Sequence, residues 1–274
     1  FRTGDYIVPY DIDGDWQVGH GFSYTATGST FREIVWHGSA DSWAIFNPPG
    51  FDSVGIGAVS GSQILGTGAG TATGGDSHAI IWTGSSGAYI DLNPAGCTSS
   101  GVGDTNGVQQ VGQAKGAATG SEMHAFLWSG SAGSAVDLHP DGFEESRAVA
   151  IGDTQQAGWA EAVGEHRHAM VWSGSAGSAV DLHPTSGEFF ISEAYGAGGD
   201  QQVGGGQETG GSNWHAFLWT GSAESMIDLN PIGFDTCLAN DTNGRYQVGF
   251  GRGDATGGEE ILGFGRDHGA HETG

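Results

Sequence analysis

Short runs of alternating apolar and polar residues recur along the chain, and none carries the 3.6-residue period of a long amphipathic helix. Four kinds of run follow one another in a fixed order. The first is a small-residue segment such as 146–151 (SRAVAI). The second is built on Gln-Val-Gly, as in VQQVGQA, with its glycine at Gly19, Gly66, Gly112, Gly158, Gly204 and Gly249. The third reads HAIIW, HAFLW or HAMVW, and the fourth AVDLHP or a variant of it. All are strand-length and rich in β-branched or aromatic residues. The first and second runs meet at Asn106-Gly107, Asn243-Gly244, Gly61-Ser62 or Gly14-Asp15, dipeptides that suit a tight hairpin. A looser Gly/Thr/Ala stretch leads to the third run, and Ser-Gly-Ser-Ala-Gly-Ser leads to the fourth. Proline then ends the fourth, because it cannot donate to a ladder.

The anchor tryptophans of the third run are Trp36, Trp82, Trp128, Trp172 and Trp219, spaced 46, 46, 44 and 47 residues apart. Four antiparallel strands at that period predict a β-propeller, a ring of four-stranded sheets. The class is all-β, and six blades fit best, with five or seven as alternatives. One domain covers 1–274, in units of about 6–53, 54–99, 100–145, 146–190, 191–236 and 237–274. The last unit is expected to be incomplete: Phe264 stands at its tryptophan position, and no fourth run follows.

The HAFLW/HAIIW, SGSAxSxVDLHPxGF and QQVG strings resemble the bacterial extracellular HAF-repeat family, strongly over 76–250 and weakly at both ends. The resemblance implies a propeller-like, exported protein and carries no catalytic motif with it. Arg32 and Glu260 depart from the histidine position, and Ile45 from the aspartate position, so the end blades depart from the motif.

Composition narrows the partners. Gly is 53 of 274 residues without a Gly-X-Y period, which excludes collagen, while 9 Trp and 13 Phe exclude a disordered glycine-rich chain. Net charge is −24, with 32 acidic residues against 8 basic ones, and such a field repels phosphate backbones, so nucleic acid is excluded as a partner. No apolar run reaches membrane-spanning length. The chain begins at Phe1, which fits a processed, secreted or cell-surface protein whose export signal is gone. Cys97 and Cys237 form no C-x-x-C motif. They are expected as separate thiols, Cys97 in the linker to the third blade and Cys237 at the start of the sixth.

Candidate chemistry is sparse. His78, His124, His168 and His215 each open a third run, and Asp91, Asp137, Asp181 and Asp228 each sit in the following fourth run. Imidazole and carboxylate could form a base or metal pair. One pair per blade cannot converge, so a structural hydrogen bond in each blade is the expected role. His139 and His183 share a position with Asn47, Asn93 and Asn230, which suits a side chain that bonds a turn backbone. Glu165, His166 and His168 form a local acidic-histidine cluster. Asp11, Asp13 and Asp15 around Gly14 are the best calcium candidate, although the EF-hand spacing is missing; no other cofactor is expected. Near-identical blades point to a non-catalytic extracellular binding or structural module, not an enzyme, facing an unidentified extracellular protein or a glycan. Two alternatives are a multivalent lectin using exposed tryptophans, and a polysaccharide-active enzyme with its site at the central channel.

Overall fold

A computed structural model describes residues 6–25, 28–84, 87–164, 166–257 and 262–267. Each group of four runs forms one antiparallel sheet, its strands in chain order. The first sheet holds β1 (Tyr6–Asp13), β2 (Trp16–Thr25), β3 (Gly28–His37) and β4 (Ala44–Ile45), and the second β5 (Ser53–Ser60), β6 (Gln63–Ala69), β7 (His78–Thr83) and β8 (Ala88–Asp91). The third holds β9 (Cys97–Thr105), β10 (Gln110–Gly116), β11 (His124–Trp128) and β12 (Val136–Asp137). The fourth holds β13 (Phe143–Ile151), β14 (Gln156–Ala162), β15 (Arg167–Trp172) and β16 (Val180–Asp181). The fifth holds β17 (Phe189–Gly198), β18 (Gln201–Glu208), β19 (Trp214–Trp219) and β20 (Ile227–Asp228). The sixth has three strands among the described residues: β21 (Thr236–Thr242), β22 (Tyr246–Arg252) and β23 (Leu262–Asp267). The fold is an all-β propeller of six blades. Glu165, Glu260 and the segment 268–274 lie outside the described residues.

The chain divides into two compact units, Phe1–Ser121 with Trp128–Ala135, and Glu122–Leu127 with Val136–Gly274. In the first, Val18, Val35, Ile56, Ile64 and Ile80 pack with Phe46, Phe51 and Trp82. In the second, one cluster gathers Val171, Leu182, Phe189, Phe217 and Trp219, and another Val203, Leu218, Leu229 and Cys237. Alternation places these side chains on the covered faces of the sheets.

Two features depart from the expected outline. The fourth strands are short, two residues in four of the five sheets that have one. The cause is the serine-glycine loop before them, which is a built turn. Ser134 Oγ donates to the Ser131 carbonyl at 2.6 Å and accepts the Ser129 N–H at 2.8 Å, and Ser178 and Ser225 repeat the arrangement. The turn uses up residues that the alternation alone assigned to the strand. Cys97 opens β9 instead of lying in a linker, because the turn closes earlier, with its N–H on the Pro94 carbonyl at 3.0 Å. Neither cysteine is in a disulfide, and both are buried.

Candidate functional site

The repeated histidines and aspartates meet within their own sheets. Nδ1 of His78, His124, His168 and His215 lies 2.8, 2.7, 2.8 and 2.6 Å from Oδ2 of Asp91, Asp137, Asp181 and Asp228. The other oxygen of each aspartate accepts the N–H two residues on, at Asn93, His139, His183 and Asn230, each at 2.8 Å. Each carboxylate therefore fastens the third strand to the turn by which the chain leaves the sheet. Arg32 bonds only the Phe31 carbonyl among the contacts described, and Ile45 is exposed, so the first sheet lacks this fastening.

A second layer involves residues that motif reading did not single out. Ser100, Ser146 and Ser192 occupy one register position in β9, β13 and β17, and each Oγ accepts a backbone N–H from the preceding sheet's third strand, at Ala79, Ala125 and Ala169, at 2.9–3.0 Å. Ser146 Oγ lies 2.8 Å from His139 Nδ1, whose Nε2 donates to the Phe143 carbonyl at 3.1 Å. His183 meets Ser192 in the same way at 2.8 Å. Asn93 instead donates to the Cys97 carbonyl at 2.8 Å. Cys237 takes the serine position in β21, and there Asn230 Oδ1 accepts the Ala216 N–H directly at 3.0 Å. The shared serine that opens SGVG, SRAV and SEAY was the available signal.

With Nε2 donating and Nδ1 accepting from Ser146, His139 is a neutral imidazole. It stacks on His124 with ring centroids 3.9 Å apart. Burial, reinforced by His124, holds its pKa below the free value of 6.5. The unfolded chain then binds more protons as pH falls, so this contribution to stability is complete above about pH 6.5 and is lost progressively below it. Urea midpoints are expected to drop between pH 7.5 and pH 5.5. His139→Asn, which installs the residue of the neighbouring exits, is expected to flatten that drop; an unchanged pH profile would refute the assignment. Ser146→Ala should cost about 1–3 kcal/mol at neutral pH, because it strips the Ala125 N–H of its acceptor.

Asp11 Oδ2 accepts the Val59 N–H and Asp13 Oδ2 the Gly61 N–H, each at 2.7 Å, so both carboxylates tie β1 to the second sheet. Among the described residues no group of three or more His, Cys, Asp or Glu side chains has metal-binding geometry. Trp82, Trp128, Trp172 and Trp219 are 0 % exposed and cannot stack on a sugar, while Trp36 is half-buried.

Chemistry concentrates where the repeat is broken. In the first sheet Glu33 replaces the small residue of the third run and is 5 % exposed. Its Oε2 is 3.1 Å from His20 Nδ1 and 3.2 Å from Tyr10 Oη. Burial pushes its carboxyl pKa up, opposed mainly by His20. Between the fourth and fifth sheets, Arg167 Nη1 donates to Glu193 Oε1 at 2.8 Å, and Tyr195 Oη donates to Glu193 Oε2 at 2.6 Å. The Arg167 guanidinium lies over the Trp159 ring, 4.0 Å from its centroid. Arg147 stands directly opposite Trp159 in the sheet register. Burial lowers its pKa, and the neighbouring Arg167 lowers it further. Equivalent positions in the third sheet are Gly101, Gln113 and Met123, so nothing in the repeat requires this cluster. It opens into a cleft of about 490 Å³ walled by Ile191, Tyr195 and Trp214, with Glu161 and His166 also in its lining.

No family model matches the chain, and no curated protein matches it. Solved structures do. TolB from Acinetobacter baumannii is 15% identical over 83% of this chain and 55% of its own, with a TM-score of 0.56. A puromycin-hydrolyzing peptidase from Mycobacterium tuberculosis is 11% identical over 97% of this chain and 51% of its own, with a TM-score of 0.59. The β-propeller domain of the Trilobed protease from Pyrococcus furiosus is 8% identical over 97% and 94%, with a TM-score of 0.46. The chain spans about half the length of the first two. The first two likenesses agree with the propeller fold. They also correct the expectation of a non-catalytic extracellular module, which leaned on the near-identity of the blades: the same fold accounts for about half of a hydrolytic enzyme. The lectin and polysaccharide-enzyme alternatives gain nothing from these likenesses, and the burial of the tryptophans removes the feature the lectin reading needed. Among the described residues, no helix is long and apolar enough to cross a membrane.

Proposed function

We propose that this chain is the propeller part of a larger protein of the peptidase kind, and that it holds peptide in the cleft between the fourth and fifth sheets. The observation that carries this reading is the Arg167–Glu193–Tyr195 cluster over Trp159, where charged and aromatic side chains stand at positions that hold Gly101, Gln113 and Met123 in the third sheet. A peptide offers backbone carbonyls and amides, apolar side chains and terminal charges. The cleft answers with guanidinium donors, aromatic walls and carboxylates. The half-length match to the puromycin-hydrolyzing peptidase supports a partner domain that performs hydrolysis. The HAF-type strings support work outside the cytoplasm. Titration calorimetry with short peptides is expected to give saturable binding tighter than about 1 mM. Trp214→Ala, which removes one wall, is expected to weaken it. Absence of binding to any peptide in a set of varied sequence would refute the proposal.

A further inference from the structure

We infer that the same cleft recognises the free C-terminal carboxylate of a peptide through Arg167, with Arg147 as a second positive charge beneath it and an apolar terminal side chain against Trp214 and Tyr195. This rests on the peptide-holding reading above. Glu193 is already committed: one oxygen takes Arg167 and the other takes Tyr195. That pair leaves the guanidinium positioned by Glu193 on one edge and by the Trp159 ring beneath it. A planar fork so fixed loses little freedom when it takes a second carboxylate on its other edge. The Arg167 side chain is 43% exposed, so that edge is reachable. Arg147 stands opposite Trp159, one same-face row along from the Glu161–Arg167 pair, and its buried Nε has no hydrogen-bond partner among the described residues. Two guanidiniums thus face one committed carboxylate, Glu193. Burial, and after it the Arg167 charge, lowers the Arg147 pKa, and an incoming carboxylate would offset the second of these.

The charge pattern selects the ligand further. Glu161 in the cleft lining and a net charge of −24 repel anions in proportion to their charge, so a phosphate-rich ligand is disfavoured more strongly than a single carboxylate. The cleft volume of about 490 Å³ suits one terminal residue with its carboxylate, not a long anionic chain.

The test uses tryptophan fluorescence of the whole chain with N-acetyl-Ala-Ala-Phe as free acid, the same peptide as C-terminal amide, and 3-phenylpropionate. The acid is expected to bind at least about tenfold more tightly than the amide, the gain of one charge-assisted pair. Arg167→Gln should erase the difference between acid and amide, and Arg167→Lys should keep part of it. The partly exposed position lets both variants fold, which thermal melts would verify. Equal binding of acid and amide would overturn the carboxylate assignment while leaving peptide holding intact. Binding of 3-phenylpropionate alone, lost in Arg167→Gln, would keep the carboxylate site and remove the peptide reading. No response to any of the three would overturn both.

Discussion

Trp82→Ala is expected to destabilise the protein by roughly 3–5 kcal/mol, the range for truncating a large core aromatic. Trp82 is 0 % exposed and stands between Phe46 and Phe51, with ring centroids at 5.4 and 5.3 Å, both edge-on. Truncation removes both aromatic contacts and leaves a void in the cluster that joins the first and second sheets. Against a typical stability of about 5–15 kcal/mol, that loss brings the fold near its limit. The indole adds a second, opposing effect. Its Nε1 is buried with no acceptor among the described residues, so it is desolvated without compensation. Trp82→Phe removes that penalty along with some volume, and is expected to cost clearly less than Trp82→Ala. Urea unfolding of the three proteins checks this. A Trp82→Ala variant within about 1 kcal/mol of the parent would mean that the site collapses freely and that this tryptophan is no core anchor.

The same residues explain what could be read in advance. The third run is legible because histidine, alanine and tryptophan each meet a demand that recurs in the second to fifth sheets: an aspartate partner, a close-packed face and a core slot. The period survives in sequence because the packing repeats. Fourth-strand length was less legible, since Ser134 and its equivalents act through local bonds to Ser131 and Ser129 that alternation does not encode. The serine of SRAV looked like an ordinary small strand residue. Its role appears only when the preceding sheet supplies Ala125 and His139. The Arg147–Arg167–Glu193–Tyr195 cluster was hidden for the opposite reason. It occurs once, its members come from β13, β15 and β17, and a search for what repeats passes over it.

Gly66→Ala is expected to be at least as damaging as a core truncation, and it tests why the alignment glycine recurs. In each sheet the pairing of the first two strands shifts register beside the Gln-Val-Gly glycine, as between Ile56 and Ala58, and the third, fourth and fifth sheets add a second shift elsewhere. The bulge tucks the first strand's backbone against the glycine. A β-carbon on Gly66 would overlap the Gly55 carbonyl oxygen and lie 2.8 Å from the Ile56 Cα. These are backbone atoms held in the ladder, so no rotamer change relieves the contact and the two strands must separate. Overpacking against side chains already costs about 1–3 kcal/mol, and here the strain falls on strand pairing itself. Gly55→Ala is the matched control, one strand away in the same sheet, because a β-carbon there meets nothing within 4 Å. Its expected effect is within about 1 kcal/mol, the loss of glycine flexibility in the unfolded chain acting in its favour. Thermal melts and soluble yield of the two variants separate the outcomes. If Gly66→Ala melts with the parent, the recurring glycine is not required by the bulge, and its place in the repeat needs another cause.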